Sequence, residues 1–225
     1  MKRYWWLVGL LILILLLLFI FWPRRAIPRH PWFEQFDSYP LVIAHADDGG
    51  NGLWPGNTML FLEGVAELGV DVLEMDAHMT SDGHVVLMHD DSVDRTTNGS
   101  GLVSDLTLEQ LQALEVGGNW TQDDGGSYPY KGQGIQAPAV EEVFQRFPDY
   151  PMVIEIKQES PSMAEPFCAL IRKYNMSEKV LVPSFSDQAI NEFREACPGV
   201  ATAASSDEVR KFIIANFLLA TNLLN

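Results

Sequence analysis

The chain has 225 residues, with 15 Lys and Arg against 30 Asp and Glu, and a formal charge of −15 at neutral pH. Five of the basic residues and none of the acids fall in the first 30 positions, so the remainder carries about −20. A body that acidic repels nucleic acid and anionic bilayer surfaces, which excludes a nucleic-acid partner, while the length suits one sizeable domain plus an appendage.

After a basic N-terminus (1–3), residues 4–22, "YWWLVGLLILILLLLFIFW", are nineteen apolar positions with aromatic residues at both ends. A helix of roughly 20 such residues crosses about 30 Å of hydrocarbon, and terminal aromatics suit the interfaces. The segment therefore predicts a single-pass transmembrane anchor in the lipid bilayer. Basic residues on both flanks (Lys2 and Arg3; Arg24, Arg25 and Arg29) leave the side undecided. "PRRAIPRHPWF" then opens a stiff tether, 23–39. Residues 40–225 form the main domain.

Within that domain apolar runs of strand length alternate with helical spacing. "LVIAH" (41–45), "VDVLEMD" (70–76), "HVVLMH" (84–89), "MVIEIK" (152–157), "KVLVPSF" (179–185) and "GVATAAS" (199–205) read as strands. Helical patterns separate them at 57–69, 107–115, 139–147, 164–175 and 186–197. Such alternation predicts a parallel sheet covered by helices. Six strands leave two possibilities, an open sheet or a truncated barrel. Residues 117–138, rich in Gly and aromatics, interrupt the rhythm as a lid or binding insertion. The tail after Val209 reads as an amphipathic or membrane-associating helix. Cys168 and Cys197, 29 apart, could pair, but are read here as two small buried hydrophobes.

Polar residues interrupt these strands at their C-terminal ends: His45, Glu74 with Asp76, His89, and Glu155 with Lys157. Period-two geometry puts Glu74 and Asp76 on one face, and likewise Glu155 and Lys157. Three carboxylates on one rim call for a cation; oxygen donors suit Mg²⁺ or Ca²⁺. Two histidines suit proton transfer in both directions, and a lysine suits a phosphate oxygen.

The stretch "GVAELGVDVLEMDAHMTSDGHVVLMHDDSVDRTTNGSG", with "AH" after the first strand, "P-x-N-T" before the first helix and "E-I-K" in the fourth, resembles the glycerophosphodiester phosphodiesterases across about residues 40–205. The resemblance implies a TIM-type (β/α)8 barrel, here truncated after about six strands. It implies metal ligands at Glu74, Asp76 and Glu155, an acid–base pair at His45 and His89, and a phosphate contact from Lys157. Substrates would be glycerophosphodiesters, cleaved to glycerol 3-phosphate and an alcohol, or lysophospholipids. The anchor and Trp120, Tyr128 and Tyr130 in the insertion favour lipid-like ones.

Two positions depart from the family pattern. Ala46 stands where an arginine would grip phosphate, and Gly56 where a glutamate would sit near the metal. A lost charge-assisted contact is worth about 1.5–3 kcal/mol, so a catalytically impaired relative that binds without turnover is the alternative. Asp47 and Asp48 are candidate replacement carboxylates, and Lys157 or Lys131 a replacement cation. Asn57 is expected to cap the first helix, while Asp94, Arg95 and Asn98 would organise the loop beyond His89. His78 lies past the expected strand end, His84 on the opposite rim, and His30 in the tether.

Overall fold

The computed structural model describes residues 4–20, 28–46 and 52–218. They fall into two units: one holds the chain's ends, up to Arg29 and from Ser206, and the other runs His30–Ser205. In the first, α1 (Trp5–Ile20) is apolar on every side, and α8 (Ser206–Phe217) carries ion pairs from Asp207 to Arg210 (3.3 Å) and Lys211 (2.6 Å). The expected span, 4–22, runs past the described residues, and α1 covers 16 of its positions. Among the described residues no helix is long and apolar enough to cross a membrane. Residues 21–27 lie outside the described part.

The larger unit is built on a six-stranded sheet. Its parallel wall runs β1 (Ile43–Ala44), β2 (Val72–Met79), β4 (Met152–Ile156), β5 (Val180–Val182) and β6 (Ala201–Thr202). All eight residues of β2 are buried, as a strand covered on both faces requires. Helices α3 (Met59–Glu67), α5 (Val140–Arg146), α6 (Ala164–Lys173) and α7 (Asp187–Ala196) follow in turn. Leu62, Phe144, Phe167 and Phe193 from those helices meet Leu73, Met75, Ile154 and Ile156 in one core. Two of these helix starts have a side-chain cap: the hydroxyl of Thr58 accepts from Phe61 N at α3, and that of Ser186 from Ala189 N at α7.

The third strand is a correction. β3 (Val85–Leu87) runs antiparallel to β2, with Met79 opposite Val85 and Ala77 opposite Leu87. Residues 80–84 are too few for a parallel crossover, which needs a dozen or more; they make a hairpin turn with Gly83 at φ +84°. Among the described residues five strands are parallel, and β1 and β6 end the path. Val85 and Leu87 face the main core. Val86 and Met88 face a second core with Val93, Val103, Leu111, Val116 and Ala137, which carries the insertion and α4 (Leu108–Gln112).

Residues 30–39, expected in the tether, belong to the folded unit. His30 caps α2 (Pro31–Glu34) and lies 2.9 Å from the Gly199 carbonyl through Nε2. Trp32, 3 % exposed, donates its indole N–H to Met152 O (3.3 Å) and Lys179 O (3.1 Å), closing the N-terminal ends of β4 and β5. Cys168 and Cys197 are not separate hydrophobes: they form a disulfide, Cα–Cα 5.4 Å, tying α6 to the end of α7.

Candidate active site

The adjacency of β2 and β4 sets the site. Their register pairs Asp76 with Glu155, and Glu74 shares that face two residues earlier. Asp76 and Glu74 therefore lie inside β2 rather than at its end, and all three acids are buried. Lys157, one residue past β4, sets its Nζ 3.5 Å from Glu155 Oε1 and 3.8 Å from Asp76 Oδ1. The antiparallel β3 then delivers the histidine. Met88 N donates to Asp76 O at 3.0 Å, so His89 arrives beside the acids in the middle of β2, its Nε2 3.4 Å from Lys157 Nζ.

The other ring nitrogen, His89 Nδ1, is 2.8 Å from Asp90 Oδ1. Arg95 grips the same carboxylate with Nε (2.6 Å) and Nη2 (2.8 Å). That guanidinium holds the Asp90 carboxyl down at about 2 against the opposing effect of burial, with His89 aiding it. Asp90 thus stays ionised, anchors the Nδ1 proton and leaves Nε2 facing Lys157. Behind it, His78 is 2 % exposed, with Nε2 3.4 Å from His89 O and 3.9 Å from Asp91 Oδ1. Burial lowers its pKa. His78 lies within β2, not past it.

Glu74 accepts from Ala46 N at 2.7 Å. Burial pushes its carboxyl up to about 7; the Ala46 N–H and His45 oppose that rise, while Asp76 and Glu155 add to it. Glu155 is likewise raised by burial, with Lys157 opposing. Oxygen donors in so crowded a group suit a hard divalent cation in kind. Among the described residues no three His, Cys, Asp or Glu side chains are gathered closely enough to hold a metal ion. Glu74, Asp76 and Glu155 share one rim, with the Lys157 ammonium against two of the three.

His45 follows β1, is exposed, and acts electrostatically on Glu74. Asp47 and Asp48 lie outside the described residues. Ala46 is 1 % exposed and packs in the main core, and Gly56 is buried too. Lys131 is exposed, 5.9 Å from the Tyr128 ring centroid. His84 is exposed, as expected.

Sequence reasoning missed two contributors. Asn57 does not cap α3; Thr58 does. Asn57 sits at φ +56° and clasps Asp76 from both sides, Nδ2 to Oδ2 at 3.0 Å and Oδ1 from Asp76 N at 2.9 Å. Asp90 carried a signal in its position directly after His89, but its partner Arg95 lies across a loop. That loop is organised as expected, with Asp94 accepting from Gly101 N (2.8 Å) and Asn98 from Glu115 N (2.9 Å).

The insertion braces residues 52–55, ahead of α3. Gln122 Nε2 donates to Gly52 O (2.6 Å) and the Tyr130 hydroxyl to Leu53 O (2.9 Å). Gly117, at φ +79°, brings its backbone so near Pro55 that an added Cβ would stand 2.7 Å from Pro55 Cγ. Beside it Trp120, 5 % exposed, meets Tyr130 edge to face at 5.0 Å, and among the described residues its indole N–H has no hydrogen-bond partner.

A parallel α/β sheet with buried acids, a lysine and an Asp-supported histidine on one rim defines a class of barrel-like folds carrying polar chemistry at the strand ends. The profile of the glycerophosphoryl diester phosphodiesterase family matches residues 48–208, and the chain belongs to that family. A glycerophosphodiester phosphodiesterase of Caldanaerobacter subterraneus subsp. tengcongensis is 36 % identical over 163 residues, covering 70 % of this chain and 63 % of that protein. A Bacillus subtilis protein named as a putative glycerophosphodiester phosphodiesterase is 35 % identical over 165 residues, covering 72 % and 64 %. The chain thus spans just under two thirds of the length of these relatives. Among solved structures, the glycerophosphoryl diester phosphodiesterase domain of a Mycobacterium tuberculosis protein superposes with TM-score 0.70 at 24 % identity, over 81 % of this chain and 66 % of that one. A phosphodiesterase of Oleispira antarctica in complex with its product sn-glycerol 3-phosphate has TM-score 0.59 at 25 % identity, over 79 % and 72 %.

Proposed function

We propose that this chain hydrolyses glycerophosphodiesters to glycerol 3-phosphate and an alcohol, with lysophospholipids as lipid-like substrates. Water adds to phosphorus, the bond from phosphorus to the alcohol oxygen breaks, and that oxygen leaves with a proton. The observation that carries the reading is the Arg95–Asp90–His89–Lys157 series against Asp76 and Glu155. His89, its Nδ1 proton anchored by Asp90, presents Nε2 for proton transfer, and His45 is the second member of the acid–base pair. Lys157 meets a phosphate oxygen. The rim of Glu74, Asp76 and Glu155 is where a divalent ion, Mg²⁺ or Ca²⁺, would neutralise diester charge when bound; no other step depends on it. Mass spectrometry of products from glycerophosphocholine and lysophosphatidylcholine, with added Mg²⁺ or Ca²⁺ and with chelator, tests this. Glycerol 3-phosphate or lysophosphatidate formed only with the ion is expected. Product undiminished by chelator removes the metal, and no product from any diester removes the function.

Membrane attachment through α1 belongs to the same proposal, supported by a helix with apolar side chains on every side. The disulfide favours an oxidising compartment for the catalytic unit. Recovery of the full chain with vesicles, and of a chain lacking residues 1–29 in the supernatant, is the expected result; equal partition of the two contradicts it.

A second reading, binding without turnover, draws on Ala46. Its side chain is packed in the core, so the family arginine has been replaced by a buried methyl group rather than left as a gap. Tight binding of glycerophosphocholine with no release of choline would establish it.

A further inference from the structure

We propose that Gly117 is a positioning residue for the reaction: its backbone, pressed against Pro55, fixes the loop that aims His89 relative to the segment that holds Asp76. This rests on the hydrolytic reading above.

Each of the two groups is held from behind by a different loop. β3 fixes the backbone next to His89, through Met88 N on Asp76 O, but leaves the direction of the ring open. Asp90 sets that direction from Nδ1 at 2.8 Å, and the Arg95 guanidinium sets Asp90. Arg95 opens a loop that pairs with the start of the insertion. Thr97 lies opposite Val116 in an antiparallel bridge. Gly117 N donates to Thr96 O at 3.0 Å, and Asn98 N to Glu115 O at 3.2 Å. On the other side Asn57 clasps Asp76. Two residues earlier, the Pro55 carbonyl accepts from the Thr58 hydroxyl at 2.7 Å, which pins this segment to the start of α3.

The two loops touch at Gly117. A Cβ there would stand 2.7 Å from Pro55 Cγ and 3.1 Å from its Cβ, inside the roughly 3.5–4.0 Å at which carbon atoms pack. The contact closes a ring that runs from Asp76 behind the site to His89. It returns across the front through Lys157, 3.4 Å from His89 Nε2 and 3.8 Å from Asp76 Oδ1. Close-packed segments transmit strain, so a shift at Gly117 reaches the aim of the imidazole. Glycine is required twice over, for the close approach and for φ +79°. Its own N–H and carbonyl are taken by Thr96 O and Trp120 N, so its part is positional.

The test measures kcat and KM on glycerophosphocholine for the full chain, G117A, P55G and P55G/G117A, with a urea titration of each. In G117A the added methyl group displaces the Arg95 loop. A misplacement of about 1 Å costs about 100-fold, so kcat should fall by about that factor with KM within about threefold. P55G opens the same contact without overlap and should lose about tenfold in kcat. The double variant gives the methyl group room, so its kcat should return to about that of P55G, roughly tenfold above G117A. A glycine needed only for folding would lower the urea midpoint and leave kcat of the folded protein unchanged. Unchanged kcat in G117A, a loss carried by KM alone, or a double variant as slow as G117A overturns the proposal. If G117A does not fold, P55G decides: the tenfold loss supports positioning, and kcat within about twofold overturns it. If the parent chain turns over no diester, hydrolysis fails, and a crystal structure of G117A (or of P55G) decides positioning. A His89 ring shifted by about 1 Å against Asp76 supports it, and an unmoved ring overturns it.

Discussion

His89 works through its neighbours. With Nδ1 anchored on an Asp90 that Arg95 keeps ionised, the ring has one orientation and one available nitrogen. D90N keeps the shape but removes the charge-assisted contact, worth about 1.5–3 kcal/mol. It should lower kcat on glycerophosphocholine by about 10- to 100-fold with KM nearly unchanged; a KM effect alone would show that Asp90 serves binding. Asn57 is a different case, satisfying Asp76 N and Oδ2 inside the protein. N57A strands both groups and gives up a residue type that tolerates positive φ. It should reduce unfolding free energy by about 1–3 kcal/mol in urea titrations, and an unchanged midpoint contradicts the clasp. His78 is held neutral by burial, with its pKa lowered from 6.5. The unfolded chain takes up that proton near pH 6.5 and the folded chain only at lower pH. Its contribution to stability is thus present above pH 6.5 and is lost as pH falls through the lowered folded value. Glu74, raised to about 7, gains stability over the same fall in pH, so the test is a difference: from pH 7.5 to 5.5 the urea midpoint of H78Q should fall less, or rise more, than that of the parent chain, and equal changes assign no part to His78.

At the scale of elements, the acids were legible and the histidine's route was not. Glu74, Asp76 and Glu155 interrupt apolar runs with period two, and the β2–β4 register brings them to one face whatever the surrounding topology. His89 was placed by the same reasoning at the end of a parallel strand, and reaches the rim because β3 runs the opposite way. A Val-Val-Leu-Met run has the same composition in either direction. The signal lay in the five residues 80–84, too short for a crossover. Asn57 was misread because its neighbour Thr58 could also cap the helix, and only tertiary contact with Asp76 tells them apart. Residues 30–39 read as tether because prolines hide a single buried anchor. Trp32 seals the N-terminal ends of β4 and β5 with two indole hydrogen bonds. W32A should remove about 3–5 kcal/mol, and W32F about 1 kcal/mol through the lost N–H alone, measured by thermal or urea unfolding. Loss of under 1 kcal/mol in W32A would mean that α2 is no part of the core.

For the whole molecule, the sheet order places the chemistry on β1, β2, β4 and the loop after β3, while the disulfide ties α6 and α7, which follow them. Spacing alone could not reveal that bond. Two cysteines 29 residues apart meet only because α6 and α7 pack side by side around the Phe167–Phe193 contact, ring centroids 5.5 Å apart. Closing a loop of that length restricts the unfolded chain by about 3.6 kcal/mol, with no rim residue among the atoms held. Stability and catalysis should therefore separate. Treatment with dithiothreitol, or the double variant C168S/C197S, should lower the urea midpoint by an amount equivalent to about 2–4 kcal/mol. At 25 °C, below the unfolding transition, kcat on glycerophosphocholine should stay within twofold. A matching loss of kcat at that temperature would mean that the α6–α7 pair reaches the rim through β4 and β5. An unchanged midpoint would mean that the two thiols do not pair in solution, and would withdraw the oxidising compartment proposed for the catalytic unit.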